Sequence, residues 1–376
     1  MTTAQIRLGD PVPWFRAYTL AETGHDLCVL AGRWVALCFV NDLSDPVVMR
    51  TLADIIMSLG RFFNDDHVVL FAVLTAPPPV GAEQFAKASH RGLGFMKDYD
   101  GSVTKLYGAT DAPYLVVIDP LMRAEKIFAL GQGGASSEEI CAHLSHLPKV
   151  DDFAGVPLFA PALIIPNVFE PEFCDYLIGL RDKNGSKDTG FMRDEEGKTK
   201  VIVDHAYKSR TDFMLEDNIE LCASIRDRIV RRVVPMMERF LQYRPTRMER
   251  YMVSCYDTET GGHFSRHRDN VNKGAEHRRF AASFNLNSDF DGCELMFPEF
   301  GRRLYKIPCG GGIIFSTGAL HEVMPITRGK RYAFIPFFYG EEDAQLRLQN
   351  NANMHAGEKL YTGDGDKLFP EMVCVV

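Results

Sequence analysis

Between Tyr251 and Phe338 the chain breaks into short runs of β-branched and aromatic residues, each closed by Gly, Pro, Asn or Asp. This texture leaves little choice of architecture. Eight such runs, Tyr251–Tyr256, Phe264–Asp269, Arg279–Leu286, Glu294–Phe297, Arg303–Ile307, Gly312–Phe315, His321–Pro325 and Arg331–Phe338, predict an all-β sandwich or jelly roll. Pro171–Arg181 and Asn218–Gln242 precede them with helical spacing, the second long and amphipathic, so this half reads as helices followed by strands.

The first ~150 residues have a different rhythm. Trp34–Val40 and Val68–Leu74 are continuous apolar runs, suited to strands buried on both faces, and Val47–Phe63 between them has helical spacing. Tyr114–Asp119 predicts a third strand, with Arg123–Leu130 returning beside it as a hairpin. Ser136–Leu147 predicts a closing helix, capped by Ser136 or Ser137 with two glutamates in its first turn. Strands alternating with helices imply an α/β layer fold. A chain of 376 residues exceeds one ordinary core, and Leu147–Pro161 is the expected boundary. We therefore expect an N-terminal α/β domain over 1–150 and a β-rich domain with supporting helices over 158–376.

Composition excludes several classes. The net charge of −8 argues against nucleic acid as the main partner, since phosphate binding needs a basic face. The pairs Arg278–Arg279 and Arg302–Arg303 read as solvated surface. No signal-like start and no apolar run long enough to cross a bilayer are present. The nine cysteines form no CxxC pair and are odd in number, which fits reduced thiols in a cytoplasmic protein.

Residues 263–270, HFSRHRDN, concentrate the candidate chemistry. On a strand, His267 and Asp269 share a face about 7 Å apart. His321, at the start of a later strand, is the candidate third ligand. Two neutral imidazoles and one carboxylate leave open positions of the kind a non-haem Fe(II) oxygenase uses. Arg331, ten residues beyond His321 and across a turn holding Gly329, is expected on the neighbouring strand. Its guanidinium fork suits the far carboxylate of a bidentate 2-oxoacid. Arg328 and Lys330 are expected in solvent, and His263 and His277 at the surface or on a substrate rim.

The runs YMVSCYDTETGGHFSRHRDN, FNLNSDFDGCELMFP and HEVMPITRGKRYAF together resemble the Fe(II)- and 2-oxoglutarate-dependent prolyl 4-hydroxylase-like oxygenases, over about residues 160–340. The resemblance implies a double-stranded β-helix (jelly roll). It also implies iron ligands at His267, Asp269 and His321, a cosubstrate carboxylate on Arg331, and pocket-lining roles for Tyr256 and Asn285. Fe(II), 2-oxoglutarate and O₂ are the implied cofactors, with ascorbate as a reductant. Relatives that halogenate lack the carboxylate, so Asp269 implies hydroxylation, with release of succinate and CO₂. The substrate would be a peptidyl proline or other protein residue, an amino acid or a small metabolite.

GDPVPWF at 9–15, the strand Trp34–Val40 and Pro113 before YLVVIDP resemble a peroxiredoxin-like thioredoxin fold, with Pro113 in the place of the cis-proline. The segment Asn41–Arg50, where a peroxidatic cysteine would stand, contains no cysteine. Cys28 and Cys38 have no evident activating partner. Two other readings stay open: a thiol-dependent peroxidase or redox protein using the N-terminal part, and a non-catalytic metal-binding interaction protein.

Overall fold

The computed structural model describes residues 6–40, 45–60, 62–78, 92–195, 197–357, 360–363 and 366–369. Of the candidate peroxidatic segment, residues 41–44 lie outside this set, as does Cys374. The chain divides into two compact units, Met1–Ala160 with Phe297–Arg303, and Pro161–Met296 with Leu304–Val376.

In the first unit Trp34–Val40 and Val68–Leu74 pair in parallel, from Trp34 against Val68 to Val40 against Leu74. Every residue of both strands is buried, as expected when helices cover both faces of a parallel pair. Leu93–Lys97 adds a third parallel strand, and Tyr114–Ile118 and Ala124–Ala129 extend the other side antiparallel. Helix Pro46–Leu59 begins at Asp45, whose Oδ1 accepts from Val47 N at 2.8 Å and Val48 N at 3.2 Å. Helix Ser137–Ser145 begins at Ser136, whose Oγ accepts from Glu139 N at 3.2 Å. Val48, Leu52, Ile55, Ile140 and Leu144 join the strand side chains in one core. Each such buried side chain contributes about 1.5–3 kcal/mol. The peptide bond before Pro113 is trans, since no cis peptide occurs among the described residues, which corrects the cis expectation there.

Cys38 lies in the centre of this core, and burial pushes its thiol up to about 12. A thiol held that high has almost no thiolate at neutral pH. We expect Cys38 in the folded protein to resist iodoacetamide at pH 8 and to react only after denaturant is added, read by mass spectrometry.

The second unit is built on two sheets. The larger runs Arg247–Glu249, Phe337–Tyr339, Phe280–Asn285, Lys330–Phe334, Met252–Asp257, Thr211–Met214, Lys187–Asp188, with Gly312–Ser316 and Ala162–Ile165 continuing from Phe280–Asn285. The smaller runs Lys208–Ser209, His263–His267, His321–Val323, Leu295–Met296, Leu304–Tyr305. The chain passes from the smaller sheet to the larger within residues 208–214, at Arg210. Helices Pro171–Asn184, Ile219–Arg232 and Val234–Leu241 supply Leu177, Ile225, Ile229 and Met237 to the core of Val253, Phe284, Ile314 and Phe334. Gly312 is required by its cross-strand neighbour, because a Cβ there would run into the Phe284 ring.

Three expectations change. Asn218–Gln242 is two helices, divided at Val233, because Pro235 lacks the N–H that a continuous helix needs. Arg331–Phe338 is interrupted before Phe337, where Pro336 has no N–H to donate, though its carbonyl accepts from Ala282 N at 3.0 Å. The paired strands 191–195 and 198–202, and the short strands 208–209 and 211–214, carry too many charges to announce themselves by apolar alternation.

Candidate metal centre

His263–His267 and His321–Val323 are antiparallel neighbours, and His267 and His321 are direct cross-strand partners. That register brings the two rings to 4.2 Å between centroids. Asp269 is not on the strand, which ends at His267. The turn beyond it carries the carboxylate back, fixed by Asp269 N donating to Thr317 O at 3.0 Å. Asp269 Oδ1 then lies 3.6 Å from His267 Nε2, and Oδ2 lies 3.4 Å from His321 Nε2. One ligand atom from each residue falls within 4.8 Å of the others, the geometry of a facial three-ligand metal site.

The other ring nitrogen of each histidine is committed. His267 Nδ1 donates to Ser265 O at 2.7 Å, and His321 Nδ1 to Ala319 O at 3.1 Å. A proton held on Nδ1 leaves the Nε2 lone pair free, which is the ligating tautomer. Burial, and then the nearby His267, push His321 down to about 4 against the opposing effect of Asp269. Its ring is neutral at pH 7. Burial alone would raise the Asp269 carboxyl, but His321 and His267 hold it well below the usual carboxylate range. Phe264 stacks on His267 at 3.6 Å and Phe315 meets His321 edge-on at 4.7 Å, so both rings are fixed by packing. The donor set fits a divalent metal of the iron type, with neutral nitrogens and one ionised carboxylate converging.

Arg331 belongs to the larger sheet, opposite Tyr256 in register, and not to a strand beside His321 as expected. Its guanidinium is buried. Nε donates to Asn285 Oδ1 at 2.9 Å and one terminal nitrogen to Ser283 Oγ at 2.7 Å. The other has only Cys293 Sγ among the described residues, at 3.9 Å, and the Tyr256 ring lies 5.5 Å away. Asn285 is thereby occupied at both ends, since its Nδ2 donates to Ile307 O at 2.5 Å. It orients Arg331. Arg328 and Lys330 are exposed and paired to Asp291 and Asp257. Between them Gly329, at φ 75°, makes the turn that sets the register of Arg331.

Several buried charges escaped the sequence reading. Arg210 donates to Asp212 at 2.7 Å, beside the Tyr256 ring at 5.9 Å. Lys208 donates to Gly190 O at 2.6 Å and Thr189 Oγ1 at 3.1 Å, and lies 5.4 Å from the Phe264 ring. Burial, then Arg210, pushes its ammonium down to about 6. The i, i+2 spacing of Lys208, Arg210 and Asp212 suggests a single strand face, but the three straddle the crossing between the two sheets, so the signal misleads.

His277 and Arg278 are buried, not at the surface: His277 Nε2 meets Glu249 at 3.1 Å and Arg278 Nε donates to the same oxygen at 2.6 Å. Arg347 adds a third contact to Glu249 at 2.5 Å. Burial would raise the Glu249 carboxyl, but Arg278, His277 and Arg347 hold it well below its ordinary value. A carboxyl depressed on folding adds stability above its unfolded pKa and loses it as pH falls through the folded one. We expect Glu249→Gln to cost about 3–5 kcal/mol, the cost of leaving buried cations uncompensated, read by urea denaturation at pH 7. The deficit relative to wild type should shrink below pH 4, as the wild-type carboxyl protonates.

Known proteins resemble part of this chain. Among the curated relatives that match are a "PKHD-type hydroxylase" of Synechococcus sp. (strain JA-2-3B'a(2-13)), 35% identical over 99 residues, 24% of this chain and 43% of that protein, and "PKHD-type hydroxylase PiuC" of Pseudomonas aeruginosa, 36% identical over 110 residues, 26% of this chain and 47% of that protein. The chain spans about half the length of these relatives. Among solved structures, a prolyl hydroxylase of Trichoplax adhaerens in complex with a hypoxia inducible factor peptide fragment aligns at TM-score 0.40 and 18% identity, covering 50% of this chain and 86% of that one. Residues 251–339, which carry the triad together with Tyr256, Asn285 and Arg331, match the family model of the 2OG-Fe(II) oxygenase superfamily, and it is this stretch that the family describes.

Proposed function

We propose that the chain is an Fe(II)- and 2-oxoglutarate-dependent dioxygenase that hydroxylates a C–H bond of a protein residue, amino acid or small metabolite. The observation that carries the reading is the convergence of His267 Nε2, His321 Nε2 and Asp269 within 4.8 Å, with both Nδ1 atoms tied to backbone carbonyls. The family match over residues 251–339 and the hydroxylase names of the relatives support it. When bound, the iron supplies oxidative decarboxylation of 2-oxoglutarate to succinate and CO₂, coupled to hydroxylation.

The chain's own part is positional. His267, Asp269 and His321 would hold the metal. Arg331, braced by Asn285 and Ser283, offers its remaining terminal nitrogen to the distal carboxylate of 2-oxoglutarate. Tyr256 borders the same space. Phe264 and Phe315 exclude water from the imidazoles. Ascorbate fits as the reductant that returns the metal to Fe(II), and cytoplasmic residence fits the free cysteines. We read the N-terminal unit as a thioredoxin-like recognition module without peroxidase chemistry. Its parallel strands flanked by an antiparallel hairpin support that fold, and the deeply buried Cys38 argues against thiol catalysis.

The test is anaerobic addition of Fe(II) and 2-oxoglutarate to the metal-free chain. The expected result is a weak visible charge-transfer band, followed by succinate release when O₂ and a turnover substrate are supplied. Absence of both sinks the reading.

A further inference from the structure

The second unit holds a cavity of about 630 Å³ to which His267, Asp269, His321, Arg331 and Tyr256 contribute nothing. One side is apolar, with Met192, Met214, Met248 and Met354 on its wall. Methionine side chains adapt to irregular apolar shapes. The volume suits a small organic ligand.

Charge distinguishes this cavity from a packing defect. Three acids stand on its wall: Glu249 is held by Arg278 and Arg347, Asp366 by Arg247, and Glu216 has a partner of its own. Arg250 also lines the cavity but makes neither an ion pair nor a side-chain hydrogen bond among the described residues. Its guanidinium has only the Phe337 ring, at 5.2 Å, and the same ring already carries Arg278 at 4.1 Å. Burial, and then the Arg278 charge, push Arg250 down to about 10 against the opposing effects of Glu249 and Asp212.

One further observation points the same way. Arg250 sits at φ 67°, a conformation that a long side chain adopts only when the surrounding structure enforces it. A strained backbone and a guanidinium without an ion pair at one cavity are what a bound anion would reconcile.

We propose that this cavity binds a small organic carboxylate with an apolar body, its carboxylate on the guanidinium of Arg250 and its body along the methionines. The planar fork of arginine matches a carboxylate with two parallel hydrogen bonds. The inference does not depend on the oxygenase reading, because no metal ligand lines the cavity.

Isothermal titration of the full, metal-free chain with octanoate tests it. Saturable one-to-one binding is expected, with octanamide at least about tenfold weaker, the loss of one charge-assisted contact. Saturating 2-oxoglutarate should leave the octanoate isotherm unchanged. Arg250→Met should weaken octanoate at least about tenfold, while the unliganded variant melts close to wild type, since only the contact with the Phe337 ring is lost. Absence of saturable octanoate binding at millimolar concentration overturns the proposal. So does equal affinity for octanamide, displacement by 2-oxoglutarate, or a markedly lower melting temperature of Arg250→Met.

Discussion

Asp269→Asn is expected to reduce succinate formation ~100-fold or more, because loss of a ligand should exceed the 10–100-fold that outer partners of metal ligands typically command. The substitution keeps size and shape. It removes only the negative charge that lies 3.6 Å and 3.4 Å from the two Nε2 atoms. Two neutral imidazoles then face a divalent cation without a counter-charge, so Fe(II) affinity should fall with activity. The charge-transfer band of the anaerobic complex should be weakened or lost at iron concentrations that saturate wild type. Activity and band both unchanged would remove Asp269 from the site. A melting curve run in parallel separates this from unfolding, and the backbone bond from Asp269 N to Thr317 O gives a reason for the turn to survive.

Arg331→Lys should act on a different parameter. Lysine keeps the charge but loses the fork, so the bonds to Asn285 at 2.9 Å and Ser283 at 2.7 Å cannot both persist while a carboxylate is held. Breaking a buried, hydrogen-bonded charge contact costs about 2–5 kcal/mol, which corresponds to a rise in KM for 2-oxoglutarate of ~30-fold or more. At saturating 2-oxoglutarate kcat should be largely restored, the signature of lost ground-state binding. A normal KM would assign the carboxylate to another cation. Arg210, beside the Tyr256 ring, is the candidate for that role.

The same residues show what can be seen in a linear sequence. Local signals survived well. The apolar runs 34–40 and 68–74 are strands at those residues, and Ser136 caps its helix through Glu139 N. His267 and Asp269 do converge, but not by strand parity: the strand stops at His267 and a turn supplies the carboxylate. Parity and turn happen to deliver the same side chain to the same place. Long-range placement was less legible. Ten residues separate His321 from Arg331, yet they belong to different sheets, because the short strand 326–328 intervenes and redirects the chain. Buried ion pairs were the least legible of all. Arg278 and His277 look like surface residues until Glu249, 29 and 28 positions away, supplies their counter-charge. Hydropathy cannot anticipate a charge whose partner is that distant.

The two backbone carbonyls behind the metal-ligating histidines have one more implication. In many metal sites a carboxylate side chain holds the second ring nitrogen, and a single codon change can remove it. Here Ser265 O and Ala319 O do that work, each two residues before the ring it orients. A carbonyl is present whatever side chain occupies the position. Ring orientation is therefore insulated from genetic drift at 265 and 319, and sequences that diverge widely around the site can keep the same tautomers as long as the strand pairing survives.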